Sequence, residues 1–447
     1  MKTSQPHKVL LSLLITIQQG KKLLRALLIM IMIGATIFIH VITHIMLTTY
    51  YDNSVLTRIV VEPKTAKTTK ITKTKYRTLI AVELSEREWD REEFIAMMYA
   101  SWQYVTSLLT KPEPLSQHPL IGVPDNGYRV ILDLIIFCEP KACATVQSVT
   151  ECHEPLLDSF LISKEDIGTY TNEMKGYCFW HQLDDEYVGR SMRYHYPFLT
   201  SLQFLSEFPV PRIISHYDYV LRTDMDAVVT PNVLLWIPPY QYAFGDGYMG
   251  QPFTHERLET IAREKLHTKT CNVHGMQSTW YVHTNQFLEL VHYTLNFTQY
   301  VFEQEFTESV CKKEVIALGH VCTWPDWHQG VSSLYGSELA INHVFCAGQN
   351  DTSRLNNAWK STFLDSNSWS EIRNTVQFHL LMMKHNLFPD IERVGNFQQL
   401  RELCRKFRRR LSMDLKGRSL EELKTNDEYA FYFFSQTLKI DCRTFLN

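Results

Sequence analysis

The chain runs to 447 residues, of which 45% are hydrophobic and 21% charged. That balance belongs to folded protein with room for a large core, and it excludes wholesale disorder, a collagen-like repeat and a multi-pass membrane bundle. Lysine and arginine number 45 against 48 acidic residues, a net charge of −3, so no basic field exists to hold nucleic acid.

Residues 1–25 contain Lys2, Lys8, Lys21, Lys22 and Arg25 and no acidic residue, and read as a cytosolic tail. The run Ala26–Leu47 carries no formal charge, and at 1.5 Å per residue its 22 positions span about 33 Å, enough for a bilayer core. Residues 26–48 are therefore expected to form a transmembrane helix. A buried core helix is the bland alternative, and a signal peptide is disfavoured because its apolar region is only about 7–15 residues long. Basic residues on the near side place the remaining 400 or so residues in the lumen by the positive-inside rule. All ten cysteines follow the span, where an oxidising lumen allows disulfides, although spacing does not reveal their pairing. Cys311, His320 and Cys322 could be imagined in a zinc site, but the chain has no Cys-x-x-Cys pair to support it. Asn296-Phe297-Thr298 and Asn350-Asp351-Thr352 are glycosylation sequons on the same side.

Residues 49–76 read as a stem, since Lys64–Lys75 is almost entirely lysine and threonine and cannot bury a core. A folded domain is expected over 77–405. Arg77–Leu84 is a strand candidate, Ser85 and Glu88 make a capping box, and Phe94, Met97, Met98, Trp102 and Val105 recur at helical spacing. The nearly continuous apolar run Arg129–Cys138 suits a strand buried on both faces, ended by Pro140. Strand, helix, strand in that order predicts an α/β domain with a largely parallel sheet. A helix is expected over Phe198–Phe208, stopped by Pro209 and Pro211, followed by a strand over Tyr217–Thr223 that ends in Asp224-Met225-Asp226. No P-loop or internal repeat is present. Residues 406–447 read as a C-terminal helical extension, with the basic run Arg405–Arg410 as a solvated helix face.

Alternation along a strand would turn Asp224 and Asp226 the same way at a carboxyl end, where open α/β sheets bind ligands. Two hard carboxylates there suit Mn²⁺ or Mg²⁺, which bridges a diphosphate and neutralises the charge on a nucleoside-diphosphate leaving group. In YDYVLRTDMDAVVTP (217–231), QSTWYV (277–282) and WPDWHQGVSSLYGSELAINH (324–343) the chain resembles glycosyltransferases of the GT-A type, the single-pass Golgi kind.

That resemblance implies a Rossmann-type, mostly parallel sheet flanked by helices. It implies a nucleotide-sugar donor and a glycan, glycoprotein or glycolipid acceptor, with Asp224 and Asp226 holding the metal and the donor diphosphate. It points to Glu338, taken to stand at the head of a helix with Asn342 four residues on, as a residue facing the donor sugar or acceptor. Asp326 is a second acid in the same stretch. His379 matches the place of a third metal ligand, with His343 as its rival. Arg190, Arg193 and Arg222 are candidates to clamp phosphate, Arg222 more plausibly as a structural ion pair. Trp280, Trp324, Trp327 and Tyr335 could stack a sugar ring or simply fill the core. Two other classes stay open. Asp224-Met225-Asp226-Ala227-Val228 also fits the nucleophile motif of haloacid-dehalogenase-type phosphatases, although that motif belongs on a domain's first strand. A catalytically silent, membrane-anchored glycan-binding protein on the same fold is the third.

Overall fold

The computed structural model describes residues 75–86, 91, 94–111, 114–154, 175–183, 200–225, 227–246, 251–346, 348–359, 364–366 and 373–379. All of them fall in the second of the chain's two compact units, Thr72–Asn447. The expected tail, membrane span 26–48 and most of the stem lie outside the described residues, as do the C-terminal extension, Cys404 and Cys442. Among the described residues no helix is long and apolar enough to cross a membrane.

The centre is a mixed α/β arrangement around a six-stranded sheet. Strand β1 (Lys75–Leu84) pairs in parallel with β2 (Arg129–Cys138) over its whole length, Lys75 opposite Arg129 and Leu84 opposite Cys138. The apolar run read from the sequence is β2 end to end. β1 starts two residues ahead of the expected Arg77, because Tyr76 is held edge-on between Tyr128 and Tyr219, with centroids 5.6 and 5.7 Å away. Between them a π-helical turn, Phe94–Tyr99, runs into α1 (Ala100–Ser107). Pro140 ends β2 and also opens α2 (Pro140–Val149), a first-turn position that needs no N–H.

β3 (Cys178–Gln182) adds in parallel to the outer edge of β2. Among its described residues, the expected helix 198–208 ends earlier than the pattern predicts. Only α3 (Thr200–Gln203) and a 3₁₀ turn, Phe204–Ser206, form, and the two prolines start α4 (Val210–Ile214) as well as stopping what precedes it. β4 (Tyr219–Arg222) then returns to the far side of β1, again in parallel. Beyond it β5 (Ala227–Val229) leaves this sheet, while β6 (Tyr242–Asp246), α5 (Pro252–Thr260), β7 (Met276–His283), α6 (Thr284–Gln304), α7 (Ser332–Phe345) and α8 (Gln349–Trp359) follow in order. β7 pairs antiparallel with both β4 and β6, so the spatial order is β3-β2-β1-β4-β7-β6 and the sheet is parallel through its first four strands. A second, small sheet joins β5 to β8 (Asp365–Ser366) and β9 (Gln377–His379) in the order β5-β9-β8.

Two-residue alternation gives the sheet two apolar faces. Ile80, Val82, Leu134, Ile136 and Leu221 meet α1 and α2, whereas Leu79, Ala81, Ile135, Val220 and Trp280 meet α3, α6 and α7. Helices α6 and α7 approach closely at Gly336, where a Cβ would stand 2.6 Å from the backbone nitrogen of Thr298. No other residue fits that crossing.

Among the described residues four disulfides form: Cys138–Cys143, Cys152–Cys178, Cys271–Cys346 and Cys311–Cys322. The last joins the two cysteines of the imagined zinc set to each other.

Candidate active site

β2 and β3 lie on one side of β1 and β4 on the other. The order reverses between β1 and β4, and open α/β sheets bind ligands in the crevice outside the carboxyl ends at such a reversal. Arg222-Thr223-Asp224 is what β4 delivers there.

Arg222 is buried, and its guanidinium contacts the Ser201 hydroxyl at 3.2 Å, lies 5.6 Å over the Trp280 ring and pairs with Asp224 Oδ1 at 3.4 Å. Burial pulls its pKa below the usual arginine value, and the opposing charges of Asp224 and Glu83 hold against that pull. Arg222 is thus a structural cation at the crevice floor. Glu83 is a residue the sequence reading missed: it is buried near the end of β1, two positions past the Ala81 that faces Arg222. The signal was one acid inside an apolar strand.

The strand reading of the two aspartates needs correction. β4 ends at Arg222, and the Ala227 N–H bonded to the Asp224 carbonyl at 3.2 Å closes a turn from β4 into β5. Strand alternation therefore does not set the direction of Asp224. Asp224 keeps 38% of its side chain exposed, while Asp226 lies outside the described residues. Immediately after it, Ala227 pairs with His379, the last residue of β9, in antiparallel register. The fold thus brings the backbone of His379, 152 residues on, opposite the residue that follows Asp226.

Several bonds fix β9 there. Thr230 donates its N–H to the Val376 carbonyl at 2.8 Å, and the Asn232 amide donates to Thr375 O at 2.9 Å. The Gln377 amide, buried, donates to the Thr279 hydroxyl of β7 at 2.9 Å and so ties the small sheet to the large one. His343 lies elsewhere, its Nδ1 accepting the Lys269 N–H at 3.3 Å and its ring edge-on to Tyr293.

Glu338 does not stand at a helix head. α7 begins at Ser332, so Glu338 sits in its second turn, 5% exposed. Its Oε1 meets His274 Nδ1 at 2.6 Å and its Oε2 accepts the Gly275 N–H at 2.8 Å. One turn on, Asn342 accepts the N–H groups of Cys271 and Val273, both at 3.2 Å, and donates to Val273 O at 2.8 Å. The pair spaced four apart on α7 thus grips the 271–275 segment that leads into β7. Asp326 is held locally, accepting the Val321 N–H at 3.0 Å, with His320 at 3.4 Å.

Of the four aromatic candidates, three are core. Trp280 is fully buried, and Trp327 stacks on Tyr335 with centroids 4.4 Å apart and planes within 3°. Trp324 is 60% exposed. Arg190 and Arg193 lie outside the described residues. Among the described residues no three His, Cys, Asp or Glu side chains converge as a metal site; of the expected set only the Asp224 carboxylate is described. Its chemistry fits a hard divalent ion, which takes carboxylate oxygen, and imidazole is compatible with Mn²⁺.

Among known proteins, no curated protein matches this chain. A solved structure of mouse xyloside xylosyltransferase 1 in its apo form aligns over 68% of this chain and 97% of its own, at 9% identity and a TM-score of 0.29. A superposition that loose transfers neither a residue nor an activity. The model of a family described only as a domain of unknown function, DUF7164, matches residues 72–389, which takes in every strand from β1 to β9, and the chain belongs to that family.

Proposed function

We propose that this protein is a metal-dependent glycosyltransferase with a GT-A-type fold, moving a sugar from a nucleoside-diphosphate donor to a glycan, glycoprotein or glycolipid acceptor. In this reading it is a single-pass type II protein of the Golgi or endoplasmic reticulum membrane, with its catalytic domain in the lumen. The observation that carries the reading is the part-exposed Asp224 at the carboxyl end of β4, where the strand order reverses, with β9 setting His379 opposite Ala227. Four disulfides among the described residues suit the same oxidising compartment.

In the proposed site Asp224, Asp226 and His379 hold Mn²⁺ or Mg²⁺. The bound ion supplies charge neutralisation for the departing nucleoside diphosphate. Arg222 tethers Asp224 by one oxygen and restricts its rotation, and Arg193 is assigned to the donor phosphates. Position disfavours the phosphatase reading, since Asp224 follows the fourth strand of its domain. Glu338 and Asp326 are proposed as the acids that face the reacting sugar, held oriented by His274, Gly275 and Val321 until substrate binds. Conversion of either to its amide should then lower kcat about 10²–10⁴-fold with donor affinity kept. Unchanged turnover in both variants leaves them as fasteners of their loops.

Calorimetry of the wild-type chain with UDP- and GDP-sugars, with and without Mn²⁺, tests the central claim. Asp226→Asn should abolish Mn²⁺-dependent donor binding, His379→Ala should weaken metal affinity, and His343→Ala should do neither. Metal-independent binding that survives these changes would sink the transferase reading, and glycan binding indifferent to both aspartates would favour the silent binding protein.

A further inference from the structure

His274 stands between two carboxylates contributed by different helices. Its Nδ1 lies 2.6 Å from Glu338 Oε1 on α7 and its Nε2 lies 3.1 Å from Glu259 Oε1 on α5. A carboxylate only accepts, and a neutral imidazole carries one N–H, so only the protonated ring donates to both at once. The ring of His255, one turn before Glu259 on α5, lies parallel to His274 with centroids 4.3 Å apart and planes within 4°. His255 Nε2 is buried without a hydrogen-bond partner. A second positive charge there would face that of His274, and the carboxylates of Glu338 and Glu259 offset burial and this repulsion only in part. Among the described residues the other charged group paired into this network is Arg263, on the exposed side of Glu259 at 3.5 Å, where solvent screens it.

We infer that His274, bridged between Glu338 and Glu259 with His255 stacked on it, is a proton-dependent latch that fixes the 271–275 segment between α5 and α7 and thereby positions the start of β7. The inference does not depend on the transferase reading. It rests on the four side chains and on what they fasten: Glu338 also accepts the Gly275 N–H, and Met276 begins β7. Two carboxylates facing a neutral imidazole leave one of them without the ring's N–H, and Glu338 is nearly fully buried, so that loss loosens the grip on Gly275.

The directions of titration agree with this geometry. Burial alone would depress the pKa of His274, but Glu338 and then Glu259 outweigh it and raise the value above 6.5. His255 moves the other way, lowered by burial and by its charged neighbour His274. A raised histidine contributes stability that is complete below 6.5 and is lost as pH rises through its folded value. For a depressed histidine the folded state disfavours the proton, so stability is lost as pH falls below 6.5 toward its folded value. The latch is therefore tightest near pH 6.5 and loosens on both sides.

Hydrogen–deuterium exchange of the full-length protein from about pH 5.5 to 8.5, corrected for intrinsic exchange, reads this at the amides of Cys271, Val273 and Gly275. The β2 amides serve as internal reference. Protection of 271–275 relative to β2 should peak near pH 6.5. Between pH 6.5 and the folded pKa of His274 it should fall by up to about tenfold per pH unit and then level off. His274→Gln should flatten the alkaline limb and His255→Gln the acid limb. A wild-type profile that follows β2 at every pH overturns the latch without reference to any variant, as does an alkaline limb that persists unchanged in His274→Gln. Neither result bears on donor binding, so the latch and the transferase reading fail separately.

Discussion

An arginine–aspartate pair stands in each half of the central sheet, and the two differ in what they leave open. In the amino half, Arg77 Nε meets Asp133 Oδ2 at 2.7 Å, and Asp133 Oδ1 accepts the Tyr177 N–H at 2.9 Å. The aspartate is 1% exposed and the Arg77 guanidinium lies over the Tyr177 ring at 5.5 Å. Nearby, the Asp218 carboxylate accepts the Arg77 N–H at 2.8 Å. At the carboxyl end, Arg222 is more deeply buried than Arg77, but its pair with Asp224 is longer, at 3.4 Å, and the aspartate is 38% exposed. The same two residue types therefore do different work. Asp133 is consumed by the fold, whereas Asp224 is oriented by it and still reaches solvent.

The largest effect expected from this contrast lies in the amino half. Asp133→Ala leaves a buried guanidinium without its carboxylate, and breaking a buried pair from one side costs about 3–5 kcal/mol. Denaturant unfolding should show a loss of that size. A change no larger than that of a surface mutation would mean that the Arg77–Asp133 pair is not a structural centre of the sheet.

The sequence revealed these two regions unequally, for physical reasons. β1 and β2 were legible because strands buried on both faces need unbroken apolar runs, and Arg129–Cys138 has no competing period. The position of Asp224 after the β4 strand was legible for the same reason. The turn at 224–227 was not, since Tyr217–Thr223 carries no signal for where pairing stops and the Ala227 to Asp224 bond is a property of the folded backbone. Helix 198–208 was overread because its apolar spacing fits a helix, while the structure closes it in a 3₁₀ turn. The buried acids were least legible. Glu338 meets His274, 64 residues earlier, and no local pattern announces a partner at that distance.

A middle-sized effect tests how the second sheet is held at the carboxyl end. The bond from the Gln377 amide to the Thr279 hydroxyl joins β9 to β7, and both side chains are fully buried. Thr279→Val keeps the shape and removes the acceptor, stranding a buried amide at a cost of about 1–3 kcal/mol. Because β9 carries His379 opposite Ala227, Mn²⁺ affinity by calorimetry should weaken along with stability. A variant that loses stability and binds metal as before would separate the small sheet from the proposed metal site.

The smallest effect on stability is expected where the effect on function is greatest. Asp224→Asn keeps the side-chain volume and a hydrogen-bonding oxygen, and Arg222 keeps Ser201, the Trp280 ring and the charge of Glu83 around it. An ion pair whose aspartate is 38% exposed is discounted by solvent screening, and such pairs contribute about 0.2–1 kcal/mol. Denaturation should therefore move by no more than that. Donor binding should respond in full, because replacing a carboxylate by an amide removes the charge on which divalent-ion affinity depends. Titrating Mn²⁺ and then a nucleotide sugar into a variant already shown to unfold like wild type reads the two quantities on one sample. Lost metal-dependent binding with intact stability places Asp224 with a ligand. A stability loss approaching that of Asp133→Ala would instead make the two pairs equivalent, and Asp224 another structural carboxylate.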